Sequence, residues 1–292
     1  MSVESHSPAA GYQLVKLASG AHSVRSLAHG ETFHPVIGPA AEAEALYVRQ
    51  LHALDRLKQC ADEFVIWDVG LGSAANPLTF LRLSNGCAGR VRIVSFDHTL
   101  EPLRFATAHE EELQYVRGFR EPLTRLAENK SARFTHGEVE VTWQVHVADF
   151  PALIASPEAQ NWPKPHIIMF DAFSPARNPA MWTAPLFARL HQLLDPARPC
   201  SLATYSRSTL LRVTLLLAGF YVGVGHASGE KDETTIAAND LSLIEEPLGA
   251  DWLARAKRST SAEPLWTAEY KQAPLSGLSW ERLQEHPQFK RA

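Results

Sequence analysis

Carboxylates recur where predicted strands end. The aspartates concerned are Asp68, Asp97, Asp149 and Asp171, which lie at the ends of the predicted strands 64–69, 91–96, 139–147 and 167–170. The carboxyl ends of parallel strands meet at one edge of a sheet, where open α/β sheets bind ligands. A single aspartate in such a position more often caps a turn. Four of them favour a ligand crevice lined by negative charge.

The segment Gly70-Leu-Gly72 follows the first of these strands and precedes a predicted helix. Glycine tolerates positive φ and lets a ligand approach the backbone, and a helix N-terminus offers free N–H groups. The spacing G-x-G-x-A is shorter than the G-x-G-x-x-G of loops that bind pyrophosphate. It favours a cofactor without phosphates, such as S-adenosylmethionine, whose amino group Asp68 would bind directly or through water. The alternative is a turn that serves only the fold.

The positions of two other aspartates agree with such a cofactor. Asp97 follows the glycine turn by about 25 residues, near the place where an acid takes ribose hydroxyls. Asp149 closes the next strand, where an aspartate commonly holds the adenine amino group in such enzymes. The fold must therefore bring three successive strand ends to the glycine turn.

The order of the predicted elements meets this requirement. Strands alternate with helices between residues 64 and 218, which predicts a parallel sheet with helices on both faces. A final antiparallel pair, 220–224 with 234–238, completes an α/β, Rossmann-like, mostly parallel seven-stranded sheet. Before it, a hairpin is predicted over 12–27 and a helix from Glu42 to about Lys58. Residues 251–292 predict one or two short helices packed on the domain.

The composition excludes several classes of protein. The 292 residues are 45% hydrophobic and 21% charged, and the net charge is −4. No run approaches the roughly 18 apolar residues of a membrane span, and residues 1–10 lack a signal-peptide pattern. Three cysteines without a CxxC pair, and histidines without HxH or HExxH spacing, predict a cytoplasmic protein without a metal site. Binding of nucleic acid would rest on local basic patches, because the overall charge is negative.

The loop after Asp171 carries the most specific motif. Asp171-Ala-Phe-Ser-Pro-Ala-Arg-Asn-Pro-Ala-Met-Trp182 is similar to the D-x-F-x-P-x-x-N-P-x-M-W signature of the MnmC-like methyltransferases. The segment Gly30-Glu-x-Phe-His34-x-x-x-Gly38-x-x-x-Glu42-Ala is similar to the family pattern G-E-x-Y-H-x-x-x-G-x-x-x-E-A. The resemblance spans residues 19–238.

The resemblance implies an S-adenosylmethionine-dependent N-methyltransferase. Members of the family methylate 5-aminomethyl-2-thiouridine at the wobble position of tRNA. The chain would comprise an N-terminal extension (1–60), the methyltransferase domain (61–245) and a C-terminal helical tail (246–292). Some relatives are fused to a flavin-dependent oxidase; this chain lacks the length and a second glycine fingerprint for one, so the stand-alone form is expected.

The resemblance also implies roles for individual residues. Asp171 would line the methyl-transfer site and accept a proton from the substrate amine. The expected cofactor ligands are Asp68, Gly70, Gly72, Asp97 (where the family usually has Glu) and Asp149. The residues expected at the substrate are Phe173, Pro175, Arg177 and Trp182, although Trp182 would serve core packing equally well. Candidates for RNA contact are Arg177, Arg207, Arg212 and Lys231, each of which has solvated surface charge as its alternative.

Two departures from the family pattern leave alternatives open. The glycine turn has Leu71, Ser73 and Ala74 where the family usually reads G-F-G-T-G, and Asp232 stands where an arginine is usual. The alternatives are a methyltransferase acting on a small-molecule amine, a polyamine aminopropyltransferase, and a non-catalytic RNA-binding relative. Binding of S-adenosylmethionine would separate the last of these from the enzymes.

Overall fold

The computed structural model describes residues 11–229 and 232–290, and its first elements form a small antiparallel sheet. Strand β1 (Tyr12–Lys16) pairs with β2 (His22–Ser26), and β2 pairs with β3 (Glu31–Thr32). The turn between β1 and β2 contains Gly20 at φ 85°, a conformation that favours glycine. The predicted hairpin is confirmed, and β3 extends it by a strand.

The helix predicted from Glu42 to about Lys58 is divided into shorter pieces. Helix α1 (Pro39–Ala43) runs into a π-helical turn, Glu44–Arg49, and α2 (Ala53–Gln59) follows after a break. The break lies at His52, whose φ of 48° belongs to the left-handed region. The wide turn lets Tyr47 reach the main sheet, where its hydroxyl donates to the carbonyl of Phe170. Tertiary contacts therefore override a continuous apolar stripe.

The main sheet has the predicted α/β architecture, with helices on both faces. Its strands are β4 (Glu63–Val69), β5 (Ala88–Asp97), β6 (Ser131–His136), β7 (Glu138–Val147), β8 (Ile167–Phe170), β9 (Ser201–Thr204), β10 (Tyr221–Gly225) and β11 (Thr234–Ala238). Its helices are α3 (Ala75–Leu83), α4 (Glu101–Ala108), α5 (Arg120–Asn129), α6 (Phe150–Ala155), α7 (Ala184–Leu193) and α8 (Thr209–Leu217). The strand order is β10-β11-β9-β8-β4-β5-β7-β6. The five strands from β9 to β7 are parallel, and the outer ones are antiparallel to their neighbours.

The expected number of seven strands is wrong by one, because β6 was not predicted. It pairs with β7 in an antiparallel hairpin at the edge of the sheet. Lys130 at φ 58° ends helix α5, and Gly137 at φ 59° forms the tight turn into β7. The six residues of β6 carry one fully buried side chain, Ala132, so the strand lacks a strong apolar alternation.

The central strands are buried on both sides, as the continuous apolar runs predicted. Alternate residues of β4 enter two separate hydrophobic clusters: Phe64 and Ile66 pack on one face, and Val65 and Trp67 on the other. Trp67 is completely buried, and its indole N–H donates to the carbonyl of Pro163 at 2.8 Å. A sheet clamped in this way holds its strand ends in fixed positions.

Three further helices close one side of the domain. They are α9 (Ala250–Arg258), α10 (Gly277–Gln284) and α11 (Pro287–Lys290). Trp252 and Leu283 enter the hydrophobic cluster on the Val65 face, and the Gln288 amide binds both backbone groups of Val222. Within the described ranges, no helix has the length and hydrophobicity needed to cross a membrane.

Candidate active site

A cavity of about 460 Å³ lies at the carboxyl edge of the parallel strands. It is lined by six of the residues that the sequence singles out: Gly70, Gly72, Asp97, Asp149, Asp171 and Phe173. Four others, Asp68, Pro175, Arg177 and Trp182, do not line it. The fold therefore brings three of the four strand-end aspartates to one crevice, together with the glycine turn.

The glycine turn leaves no room for a side chain at Gly70. Its φ is 93°, and a Cβ placed there would lie 2.6 Å from the backbone oxygen of Asp171. Its N–H donates to the carbonyl of Phe96, so the turn is held between two strand ends. Gly72, at φ 51°, lies under the ring of Phe33, 3.3 Å from the position of a Cβ. The close approach of backbone to backbone explains glycine at the first position.

The turn departs from the family pattern at three residues, Leu71, Ser73 and Ala74. Ala74, where the family usually has glycine, adopts φ 62° and ψ 21° as the residue before helix α3. Alanine tolerates this left-handed conformation only at an energetic cost. Ser73 retains a hydroxyl, which accepts a hydrogen bond from the buried phenol of Tyr115 at 2.8 Å. The altered residues therefore strain the turn without opening it.

Asp97 connects the end of β5 to the glycine turn. Its Oδ2 accepts a hydrogen bond from the Gly72 N–H at 2.8 Å, and its Oδ1 lies 3.1 Å from Nδ1 of His98. The hydrogen bond that His98 donates to Asp97 raises the pKa of His98 above its ordinary value, against the effect of partial burial. The carboxylate thus faces the cavity with a fixed orientation.

Asp149 caps a helix and also lines the cavity. Its side chain accepts a hydrogen bond from the N–H of Ala152 at 3.2 Å and so caps helix α6. The same residue is exposed and lines the cavity. A capping carboxylate with free lone pairs can still bind a ligand.

Asp171 is held by two side chains to which the sequence analysis gave no role. Its Oδ2 accepts a hydrogen bond from the amide of Asn76 at 2.9 Å, and Nε2 of His34 lies 3.3 Å from the same oxygen. On the other side of the imidazole ring, Nδ1 of His34 lies 3.8 Å from the carboxylate of Glu42. His34 and Glu42 belong to the N-terminal motif, which was the sequence feature that could have identified them as site residues. No sequence feature marked Asn76, which lies in the first turn of α3.

Asp68 lies behind the turn, outside the cavity. It is completely buried, and its Oδ2 accepts a hydrogen bond from the Ser95 hydroxyl at 2.7 Å. Its Oδ1 has no hydrogen-bond partner among the described residues. Burial raises the pKa of Asp68 to about 7, and the nearby carboxylates of Asp171 and Asp97 add to this effect.

The four residues expected at the substrate lie at different depths. Phe173 lines the cavity and stacks on His29, with 4.2 Å between ring centroids. Trp182 is completely buried and donates to the carbonyl of Phe173, so it belongs to the core. Pro175 is half-buried outside the cavity. Arg177 is exposed, with its Nε 4.0 Å from Glu31.

The suggestion that Arg212 contacts RNA from the surface is wrong. Its side chain is 1% exposed, and its guanidinium binds Thr235, the carbonyl of Thr234 and the carboxylate of Glu233. These partners lie on and beside β11, so the positive charge of Arg212 binds groups inside the fold. Arg207 is half-exposed near Asp232, and Lys231 lies outside the described residues.

Comparison with known proteins agrees with this arrangement. Residues 112–240 match the model of a family described as S-adenosyl-L-methionine-dependent methyltransferase. The chain is 29% identical over 213 residues to the tRNA 5-methylaminomethyl-2-thiouridine biosynthesis bifunctional protein MnmC of Aeromonas hydrophila, a match covering 67% of this chain and 30% of that protein. The chain is therefore similar to the MnmC-like, S-adenosylmethionine-dependent methyltransferases. A second MnmC, from Ectopseudomonas mendocina, is 36% identical over 92 residues, covering 32% of this chain and 13% of that protein.

Solved structures show the same fold. The crystal structure of MnmC2 from Aquifex aeolicus superposes with a TM-score of 0.68 at 23% identity, covering 94% of this chain and 84% of that one. A spermidine synthase bound to a transition-state analogue superposes with a TM-score of 0.51 at 10% identity, covering 93% and 84%. The chain matches less than a third of the length of the MnmC proteins from Aeromonas hydrophila and Ectopseudomonas mendocina.

The charge of the cavity suits a cationic cofactor. Its lining includes five carboxylates, and the described lining residues contain no lysine or arginine. The carboxylates are Glu31, Glu42, Asp97, Asp149 and Asp171. S-adenosylmethionine carries a sulfonium and an ammonium group and has no phosphate, so this charge favours it and disfavours nucleotides with phosphates. The residues therefore fit the cofactor of the family.

Proposed function

We propose that this protein methylates the 5-aminomethyl group of wobble uridine or 2-thiouridine in tRNA, using S-adenosylmethionine. The observation that carries the proposal is the acid-lined cavity around Asp171, since an amine substrate arrives as an ammonium ion. The MnmC relatives named above support the same substrate. Because the match covers only part of those relatives, the tRNA activity is assigned to this chain as a proposal.

We assign cofactor binding to the glycine turn and to the ends of β5 and β7. Gly70 and Gly72 would lie against the methionine part, because the bare backbone there admits close approach. Asp97 would hold the ribose hydroxyls, and Asp149 would accept a hydrogen bond from the adenine amino group. Asp68 lies behind the turn and outside the cavity, so it is given no part in binding the cofactor. S-adenosylmethionine supplies an electrophilic methyl group when it is bound.

Asp171 is proposed to receive the substrate amine. The amine must lose a proton before its nitrogen becomes nucleophilic, and a carboxylate at hydrogen-bond distance can orient the ammonium and accept that proton. Asn76 and His34 both contact Oδ2, and these contacts hold the carboxylate in place. The remaining acceleration comes from holding the nitrogen in line with the methyl group.

The rim of the cavity is proposed to receive the nucleoside. Phe173 offers a ring face on which a uracil can stack, as bases do on aromatic side chains. The exposed Arg177 and Arg207 lie outside the acid-lined interior and would meet the phosphate backbone. A role on tRNA would place the protein in the cytoplasm, and no metal takes part in the proposed mechanism.

The test is methyl transfer from labelled S-adenosylmethionine to total tRNA from cells that lack the wobble methyltransferase, followed by nucleoside analysis. Label in 5-methylaminomethyl uridine is the expected result. Bulk tRNA without the aminomethyl group serves as the control and should remain unlabelled. Binding of the cofactor without any label in tRNA would refute the proposed substrate.

A second candidate, polyamine aminopropyl transfer, is favoured by one observation. The carboxylates of Glu31 and Glu42 join Asp171 in the cavity, and a polyamine needs several anionic partners. Such an enzyme uses decarboxylated S-adenosylmethionine. Assays with each cofactor, using putrescine or undermodified tRNA as acceptor, would separate the two reactions.

A further inference from the structure

His34 lies between two carboxylates that come from distant parts of the chain. Its Nε2 is 3.3 Å from Asp171, which follows β8, and its Nδ1 is 3.8 Å from Glu42 in helix α1. The His34 side chain is only 7% exposed. A buried imidazole that meets an acid at each nitrogen can pass a proton from one side to the other.

The backbone of His34 is held in an unfavourable conformation. Its φ is 47°, in the left-handed region that non-glycine residues rarely adopt, and Pro35 follows it. The preceding residue, Phe33, is fixed by a hydrogen bond from its N–H to the carbonyl of Val24 and by the Ser23 hydroxyl on its own carbonyl. Backbone strain of this kind concentrates at functional sites.

The imidazole of His34 contacts two acids, Glu42 and Asp171. The charges of the same two acids also act on the phenols of Tyr47 and Tyr205. Burial, with the charges of Asp171 and Glu42 adding to it, raises the pKa of Tyr47 well above its ordinary value; the pKa of Tyr205 is raised by the same causes and by Glu31. These phenols therefore stay neutral, and the local charge is negative.

We propose that His34 is a positioning residue that takes the substrate's proton from Asp171 during methyl transfer. As the new N–C bond forms, the bond between the methyl carbon and the sulfur of the donor breaks and leaves its electron pair on sulfur. The N–H bond of the amine breaks with its electron pair kept on nitrogen, and the proton moves to Oδ2 of Asp171. It then passes from Oδ2 to Nε2, which restores the carboxylate and leaves an imidazolium between two acids. Glu42 fixes the ring by receiving the Nδ1–H, and solvent removes the extra proton between turnovers. This inference rests on the proposed function.

The test compares His34→Asn with the wild-type enzyme and with His226→Gln, a change at an exposed histidine outside the cavity. Asparagine tolerates left-handed backbone and keeps a hydrogen-bond donor, but it cannot carry the proton. We expect kcat on undermodified tRNA at pH 7 to fall at least about tenfold. The dissociation constant of S-adenosylmethionine should change less than threefold. The loss should shrink as pH rises, because more amine then arrives neutral.

Other outcomes would overturn the inference. A loss that is the same at every pH, or one that appears only in KM, would indicate a structural role. Unchanged kcat in His34→Asn would also contradict it. If the wild-type enzyme labels no tRNA, the proposed substrate is refuted. The ring ¹⁵N signals of His34 test its contacts with Asp171 and Glu42 without any substrate. The Nε2 signal should move in Asp171→Asn and the Nδ1 signal in Glu42→Gln; unmoved signals would refute the arrangement.

Discussion

Replacing Asp68 by asparagine should stabilise the protein above neutral pH. The carboxyl is completely buried, and its pKa rises from 3.8 to about 7. The folded state therefore binds a proton that the unfolded state has already released, so stability declines as pH rises from about 4 to about 7. A shift of this size corresponds to at most about 4 kcal/mol at pH 8.

Asparagine removes the ionisation and keeps the shape of the side chain. Ser95 can still donate to its amide oxygen, as it now donates to Oδ2. The new amide N–H₂ group would be buried in place of Oδ1, which has no partner among the described residues, and this costs about 1–3 kcal/mol. The expected net gain at pH 8 is therefore about 1–3 kcal/mol in the free energy of unfolding.

Urea unfolding at pH 5 and pH 8 measures this effect. The wild-type protein should lose stability relative to Asp68→Asn between the two values. The matched control is Asp62→Asn, which removes the same charge from a side chain that is 95% exposed. Equal pH dependence in wild type and Asp68→Asn, or a less stable variant at pH 8, would refute the account of the buried carboxyl.

Three further predictions concern the cavity. Asp171→Asn should lower methyl transfer at least about 100-fold while cofactor affinity stays within threefold, because the base is lost and the glycine turn is kept; rapid turnover in this variant would exclude the assigned role. Asp97→Ala should weaken binding of S-adenosylmethionine about tenfold by calorimetry, and an unchanged dissociation constant would contradict the ribose assignment. Gly70→Ala should destabilise by about 2–4 kcal/mol in urea unfolding, since its Cβ would meet a backbone oxygen at 2.6 Å. Gly118→Ala has a similar φ with open space and controls for conformational strain alone; equal losses in the two variants would remove the steric argument.

The features that the sequence predicted well depend on local patterns. The strand before Asp171 is a continuous apolar run, and its burial on both faces leaves one direction for the acid that follows. The glycine turn is short and has few conformations to choose from. Fold class and the positions of three cavity acids therefore followed from stretches of ten to twenty residues.

The features that were missed depend on contacts between distant segments. Arg212 belongs to helix α8, and only the folded neighbourhood of β11 shows that its charge is buried. The positive φ of His52 and the π-helical turn before it are not visible in an apolar stripe. His34 reaches Asp171, and Glu42 reaches His34, only because the N-terminal segment folds over the sheet edge. Pairwise placement of this kind has no signal in local periodicity.

The N-terminal segment has a consequence for how this protein is made. The Glu31 carboxylate accepts a hydrogen bond from Ser174, 143 residues later in the chain, and Tyr47 binds a carbonyl 123 residues later. At ordinary rates of synthesis, that distance takes on the order of ten seconds to emerge. The residues of β1 to β3 therefore leave the ribosome long before the acid-lined cavity can form. Cofactor can stabilise the protein only after the loop following β8 has left the ribosome, so the early chain must remain soluble without help from its ligand.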